Sequence, residues 1–208
     1  MRRPRLTGVL TGGLIIFGVA LALYLAFVRP WQLRWGATDI EVKRSMLGDG
    51  LVANPSFNAT RAVTVDARPE DIWPWIIQIG YGRAGWYSYD WIDNLGRPSA
   101  ERIIPELQHM EPGDRVPMGP GEMGMTVAAV EPGEWMVWGD ESASWVWGLY
   151  PVDENQTRLI TRVRIHYDWA HPTIVFNLLI DVGDIVMMPK CMLGIKWRAE
   201  ALSRSREG

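Results

Sequence analysis

"TRLITRVRIHYD", residues 157–168, alternates along its length. Leu159, Thr161, Val163, Ile165 and Tyr167 fall on one side, and Arg158, Arg162, Arg164 and His166 on the other. Successive side chains of a strand point to opposite faces, so this segment reads as an antiparallel strand with one apolar and one wet face. The arginines read as a solvated outer face, with the binding of an anionic partner as the alternative. Arg162→Glu is therefore expected to change stability by only about half a kcal/mol. Val163→Asp is expected to unfold the domain, because an unpaired carboxylate is costly to bury.

Four more strand-like runs precede this one: "DRVPMG" from 114, "MTVAAVE" from 125, "WMVWGD" from 135 and "SWVWGLYPVD" from 144. Pro132-Gly133 and Asp153-Glu154-Asn155 supply turn chemistry between them. A further strand, "RAVTVDA", starts at Arg61. "RPEDIWPWIIQIG" then reads as a helix, with Pro69 in the first turn and Glu70 and Asp71 at its positive end. Ile72, Ile76 and Ile79 recur at helical spacing, and Pro74 should kink the segment. After Gly80 and Gly82, "SYDWIDNLG" reads as a short second helix capped by Ser88 or Asp90. A long helix closes the chain, with Ile185, Met188, Met192, Ile195 and Leu202 on one face and Pro189 expected to kink it.

The order is strand, two helices, antiparallel strands, long helix. A sheet with one apolar face needs a cover, and the last helix alone is long enough to supply it. The expected fold is α+β, a curved antiparallel sheet around that helix, with a cavity between them and the helix pair near its mouth.

At the N-terminus, Thr7 to Val28 is uncharged and mostly apolar. As a helix it would reach roughly 33 Å, enough for a hydrocarbon core of about 30 Å. Residues 1–30 therefore read as a membrane anchor, 31–60 as a glycine-punctuated linker and 61–204 as the folded domain. A cleaved signal peptide, with Ala20 to Ala22 as the small-residue site, is the alternative. "MRRPR" favours a cytosolic N-terminus and an extracytoplasmic domain, while Arg29 and Arg34 weaken that bias.

The net charge of −3 shows no basic stripe, which argues against nucleic acid as a partner. The single cysteine, Cys191, excludes an intrachain disulfide and a multi-cysteine metal site. His109, His166 and His171 are scattered, and no phosphate loop, zinc motif or dinucleotide fingerprint occurs. No cofactor or metal is expected, and no catalytic residue is assigned. Twelve Trp and ten Met supply large apolar surfaces that tolerate irregular cavities.

Several stretches are similar to an uncharacterised bacterial branch of the START-like, or SRPBCC, superfamily, which includes polyketide cyclase/dehydrase and lipid-transport proteins. They are "WGAT" at 35–38, "WPWIIQIGYGRAGWYSYDWIDNLG" at 73–96, "GDRVPMGP" at 113–120 and "MLGIKWRAE" at 192–200. The resemblance implies a helix-grip fold around a hydrophobic pocket, and no particular reaction. On this reading the pocket residues are Trp73, Trp75, Trp86, Tyr87, Tyr89, Asp90, Trp91, Met188 and Met192. The aromatics are equally compatible with core packing, and Asp90 with a helix cap. The expected partners are a hydrophobic small molecule or lipid, and a membrane through residues 7–28. A cyclase- or hydratase-type enzyme using Asp90, Tyr89 and His166, or a protein-interaction domain, are the rival functions.

Overall fold

The computed structural model describes residues 4–207. The chain begins with helix α1 (Pro4–Leu23), a π-helical turn (Tyr24–Val28) and α2 (Arg29–Arg34) in succession. The wide turn has a local cause. Pro30 has no N–H to donate, and the Arg29 N–H reaches back five residues to the Tyr24 carbonyl. Thr11–Arg34 is long and apolar enough to cross a membrane by length and composition. Arg2 and Arg3, on which the expected orientation partly rests, lie outside the described residues.

Six strands follow: β1 (Phe57–Val65), β2 (Arg115–Pro117), β3 (Gly124–Glu131), β4 (Trp135–Gly139), β5 (Ala143–Pro151) and β6 (Thr157–Ile165). They form one antiparallel sheet in the order β1-β6-β5-β4-β3-β2. Between β1 and β2 lie α4 (Pro69–Ile77) and the short α5 (Asp90–Asp93), and α6 (Thr173–Glu207) closes the chain. This is the helix-grip arrangement. One sheet face packs on α4 and α6, where Met188, Cys191, Met192, Ile195 and Ala199 form a buried helical stripe. Leu159 and, in part, Val163 point into that core as the alternation requires.

Pro74 and Pro189 both lie inside continuous helices, so neither ends its element. Neither Ser88 nor Asp90 caps α5. Its N-cap is Tyr89, without a side-chain bond, and Asp90 instead accepts from the Ser99 N–H at 3.0 Å and hydroxyl at 2.5 Å.

The opposite sheet face overturns an expectation. Arg162 is buried and Arg158 and Arg164 are mostly covered, because residues 36–54, expected as linker, pack over them. The segment holds α3 (Asp39–Lys43), started by a capping box in which Thr38 accepts from the Glu41 N–H and the Glu41 carboxylate accepts from the Thr38 N–H. Arg162 is buried and spends all five donors: one on Thr60 Oγ1, four on Asp49 and the carbonyls of Glu41, Val42 and Arg44. Arg158 pairs with Glu41 at 2.6 Å, and Arg164 reaches the Val52 carbonyl at 3.1 Å. Beneath the segment, Met46 packs on Val137, Val146 and Ile160. Alternation reports that a strand face is polar. It does not report whether water or backbone carbonyls answer it.

Burial works against the charge of Glu41, but the hydrogen bonds from Arg158 and Thr38 hold its carboxyl down at about 2. An acid whose folded pKa is depressed stabilises above its ordinary pKa and loses that contribution as pH falls toward the folded value. The outer layer is thus expected to loosen between about pH 4.5 and pH 2. Glu41→Gln should remove that part of the acid sensitivity, which an acid titration followed by circular dichroism would check.

Candidate functional site

The core between the sheet and α6, where a cavity was expected, is filled by tryptophans. Register brings them together: Met136 pairs with Trp147 and Trp138 with Trp145 across β4 and β5, all on the α6 side. Trp86, from the loop after α4, stacks on Trp145 with centroids 5.7 Å apart. Trp138 meets Trp86, Trp145 and Trp147 edge-on at 5.3–6.5 Å. Of the sheet tryptophans here, Trp145 is partly exposed, and its indole donates to Thr161 Oγ1 at 2.7 Å. Trp138 and Trp147 are fully buried, and neither indole N–H has an acceptor. The Trp75 indole, also buried, lacks one too.

The expected pocket residues divide. Trp73, Trp75, Trp86, Met188 and Met192 are buried in the same core as these rings. Tyr87 is buried as well, not set at a mouth. Its hydroxyl accepts from Gln78 at 2.8 Å and donates to the Trp75 carbonyl at 3.1 Å, and the Arg198 guanidinium lies 4.6 Å from its ring centre. Burial pushes its phenol pKa up. Tyr87 also adopts φ 55°, a left-handed conformation rare outside glycine, held by its N–H bond to Ser99 Oγ at 3.0 Å. Tyr89 and Trp91 face outward, Trp91 with 74 % exposure. The aromatic stretch at 86–91 is thus split between core and surface, and Asp90 serves to fasten the loop at Ser99.

Trp138, Trp145 and Trp147 were not among the expected site residues. Their signal was present in "WMVWGD" and "SWVWGLYPVD", where Trp138, Trp145 and Trp147 share a face once the strands pair. Placing that face needs the cross-strand register, which neither segment contains.

Two cavities lie away from these rings. A groove of about 580 Å³ opens on the other side of the sheet, bordered by Met46, Leu47, Trp135 and Tyr150. A smaller pocket of about 150 Å³ sits between Ser88, Asp90 and Ser99 on one side and Lys190, Trp197 and Arg198 on the other. His109 and His166 are exposed, paired with Glu111 and the Asn54 carbonyl. With Tyr89 also outward, the three residues of the enzyme alternative do not converge. No group of three or more His, Cys, Asp or Glu suited to a metal ion occurs among the described residues.

One acid of α5 is perturbed. Burial, and then the neighbouring Asp90 charge, push Asp93 up to about 6. A raised carboxyl pKa penalises the folded state fully above the folded value, and the penalty fades as pH falls from there toward the ordinary value. Asp93→Asn should therefore raise Tm at pH 7–8. The gain should shrink as pH falls from about 6 toward the ordinary value of 3.8, and melts across that range would show it.

No family model and no curated protein matches the chain. Similar solved structures include the polyketide-cyclase-like protein Cgl2372 from Corynebacterium glutamicum, at 15 % identity over 72 % of this chain and 91 % of that one, TM-score 0.37. The self-sacrificing resistance protein CalC from Micromonospora echinospora is 13 % identical over 72 % of this chain and 95 % of its own, TM-score 0.40. The Aha1 dimer from Colwellia psychrerythraea is 17 % identical over 70 % and 96 %, TM-score 0.39. Likenesses this distant say nothing of ligand or reaction, and the helix-grip description rests on strand order and on α6.

Proposed function

We propose that this chain is a membrane-tethered binding domain for a hydrophobic small molecule or lipid, held between the sheet and α6. On this reading residues 11–34 anchor it in a single pass, with the domain on the extracytoplasmic side. The supporting observation is the pair of indole N–H groups, on Trp138 and Trp147, buried between the sheet and α6 without an acceptor. Protein interiors leave few such donors, and each costs about 1–3 kcal/mol unpaired. Their rings are neighbours, 6.1 Å apart, so a ligand oxygen near both would relieve both. The ligand is then an apolar body carrying at least one acceptor oxygen. A chain of ten methylenes would gain roughly 8 kcal/mol on burial, before the costs of association. Admission requires the partly exposed Trp145 and its stacked partner Trp86 to part.

The test compares a fatty-acid probe with the hydrocarbon of equal length on the wild type and on Trp138→Phe/Trp147→Phe. Phenylalanine keeps most of the apolar surface and removes the donors. The wild type should prefer the oxygen-bearing probe, and the double variant should lose that preference while remaining folded. A preference unchanged by the substitution would remove the indoles from the site.

A further inference from the structure

The first half of α6 is inside out for a protein in water. Val175, Leu178, Leu179, Val182 and Val186 are exposed, Leu179 by 66 % and Val182 by 59 %. At helical spacing they form one stripe, about 100° wide. The acids of the same segment point the other way. Asp181 is 6 % exposed and takes an ion pair from Arg29, a hydrogen bond from Gln32 at 2.8 Å and another from the Tyr167 hydroxyl at 3.0 Å. Asp184 pairs with the buried Arg61. Beyond Pro189 the pattern turns over, and Met192 and Ile195 face the domain core.

From this inversion we propose that residues 173–186, with Trp169, lie in the boundary between headgroups and acyl chains of a bilayer, as a second membrane contact beside the N-terminal helix. The inference rests on reading residues 11–34 as a membrane span. Continuity with that span selects lipid as the occupant. Arg29 and Gln32, at the end of the apolar helix, are the residues that grip Asp181, and Gln32 also donates to the Asp181 carbonyl at 2.6 Å. The polar grip therefore fixes the apolar stripe beside the point where the span leaves the hydrocarbon. Phe27 and Trp31, near the end of the span, and Trp169, shortly before α6, are all exposed. Tryptophan suits that boundary, with an apolar body and a polar N–H. An amphipathic helix in the interface plane buries its apolar face about 5–10 Å into the boundary. Such a seat would hold the helix grip against the lipid instead of leaving it on a free tether.

The experiment uses the full chain in phosphatidylcholine/phosphatidylglycerol nanodiscs, with single nitroxide labels at Phe17→Cys, Leu179→Cys, Val182→Cys and Glu141→Cys. Cys191 is buried and stays in place. Collision rates with oxygen and with a nickel chelate separate lipid from water. Labels at 179 and 182 should resemble the one at 17, oxygen-accessible and several-fold less accessible to nickel than the one at 141. If 17 is lipid-exposed while 179 and 182 collide freely with nickel, the second contact is wrong and the span stands. If 17 is also aqueous, the span itself is wrong and the inference falls with it. If 179 and 182 are shielded from both reagents, a second protein copy covers the stripe and the lipid assignment is overturned.

Discussion

Arg162→Glu should unfold the domain or bring it close to unfolding at room temperature. Every donor of the arginine fork is used: one on Thr60, the rest on Asp49 and three backbone carbonyls of residues 41–44. A carboxylate in its place would face Asp49 and those carbonyls with no donor to offer. Breaking a buried pair from one side costs about 3–5 kcal/mol, because the remaining charge is left unanswered. That is a large fraction of a typical stability of about 5–15 kcal/mol. Arg115→Glu makes the control, since that side chain is exposed and its ion pair with the exposed Glu122 is long, 3.9 Å. Urea unfolding of both variants decides the matter. A small effect at Arg162, equal to that at Arg115, would return this face of the sheet to solvent.

Gly194→Ala should also destabilise, against the sign that helix propensity gives. Alanine is favoured over glycine inside a helix by about 1 kcal/mol. Here a Cβ would stand 2.2 Å from the Tyr87 carbonyl oxygen and 2.6 Å from the Tyr87 Cβ. Tyr87 cannot yield easily. Its backbone is left-handed, its N–H is held by Ser99, and its hydroxyl is bonded at both ends of the donor–acceptor pair. Overpacking of this kind typically costs about 1–3 kcal/mol. The expected result is a lower urea midpoint with an unchanged slope. A higher midpoint would mean that the aromatic loop is not clamped on α6 and can retreat.

The helix grip was legible in the sequence because its signals are periodic. β6 alternates, α4 and α6 repeat at helical spacing, and turn residues separate the strands. What was not legible depends on partners far along the chain. Residues 36–54 have no period, so their role as a second layer over Arg158, Arg162 and Arg164 emerges only when carbonyls and guanidinium groups are brought together. The stretch at 86–91 stands out for its aromatic density, yet density does not say which rings turn inward. Trp86 and Tyr87 do, while Tyr89 and Trp91 do not. Trp138 and Trp147 carry the unpaired donors, and their convergence follows from β4–β5 register. The buried acids of α6 were hidden for a related reason, since Asp181 and Asp184 meet Arg29, Gln32 and Arg61 across more than a hundred residues of chain.

The most direct test of ligand binding between the sheet and α6 joins two readouts on one sample. The domain is extracted with its native lipids and weighed intact by native mass spectrometry, and its indole N–H resonances are then recorded before and after delipidation. Trp138 and Trp147 are assigned by their phenylalanine variants. The expected result is one hydrophobic, oxygen-bearing molecule per domain, released on denaturation. On delipidation the Trp138 and Trp147 indole protons should move upfield, while the Trp145 proton, bonded to Thr161, moves less. A domain that carries no such molecule, and whose Trp138 and Trp147 indoles ignore an added fatty acid, would contradict a ligand at this place.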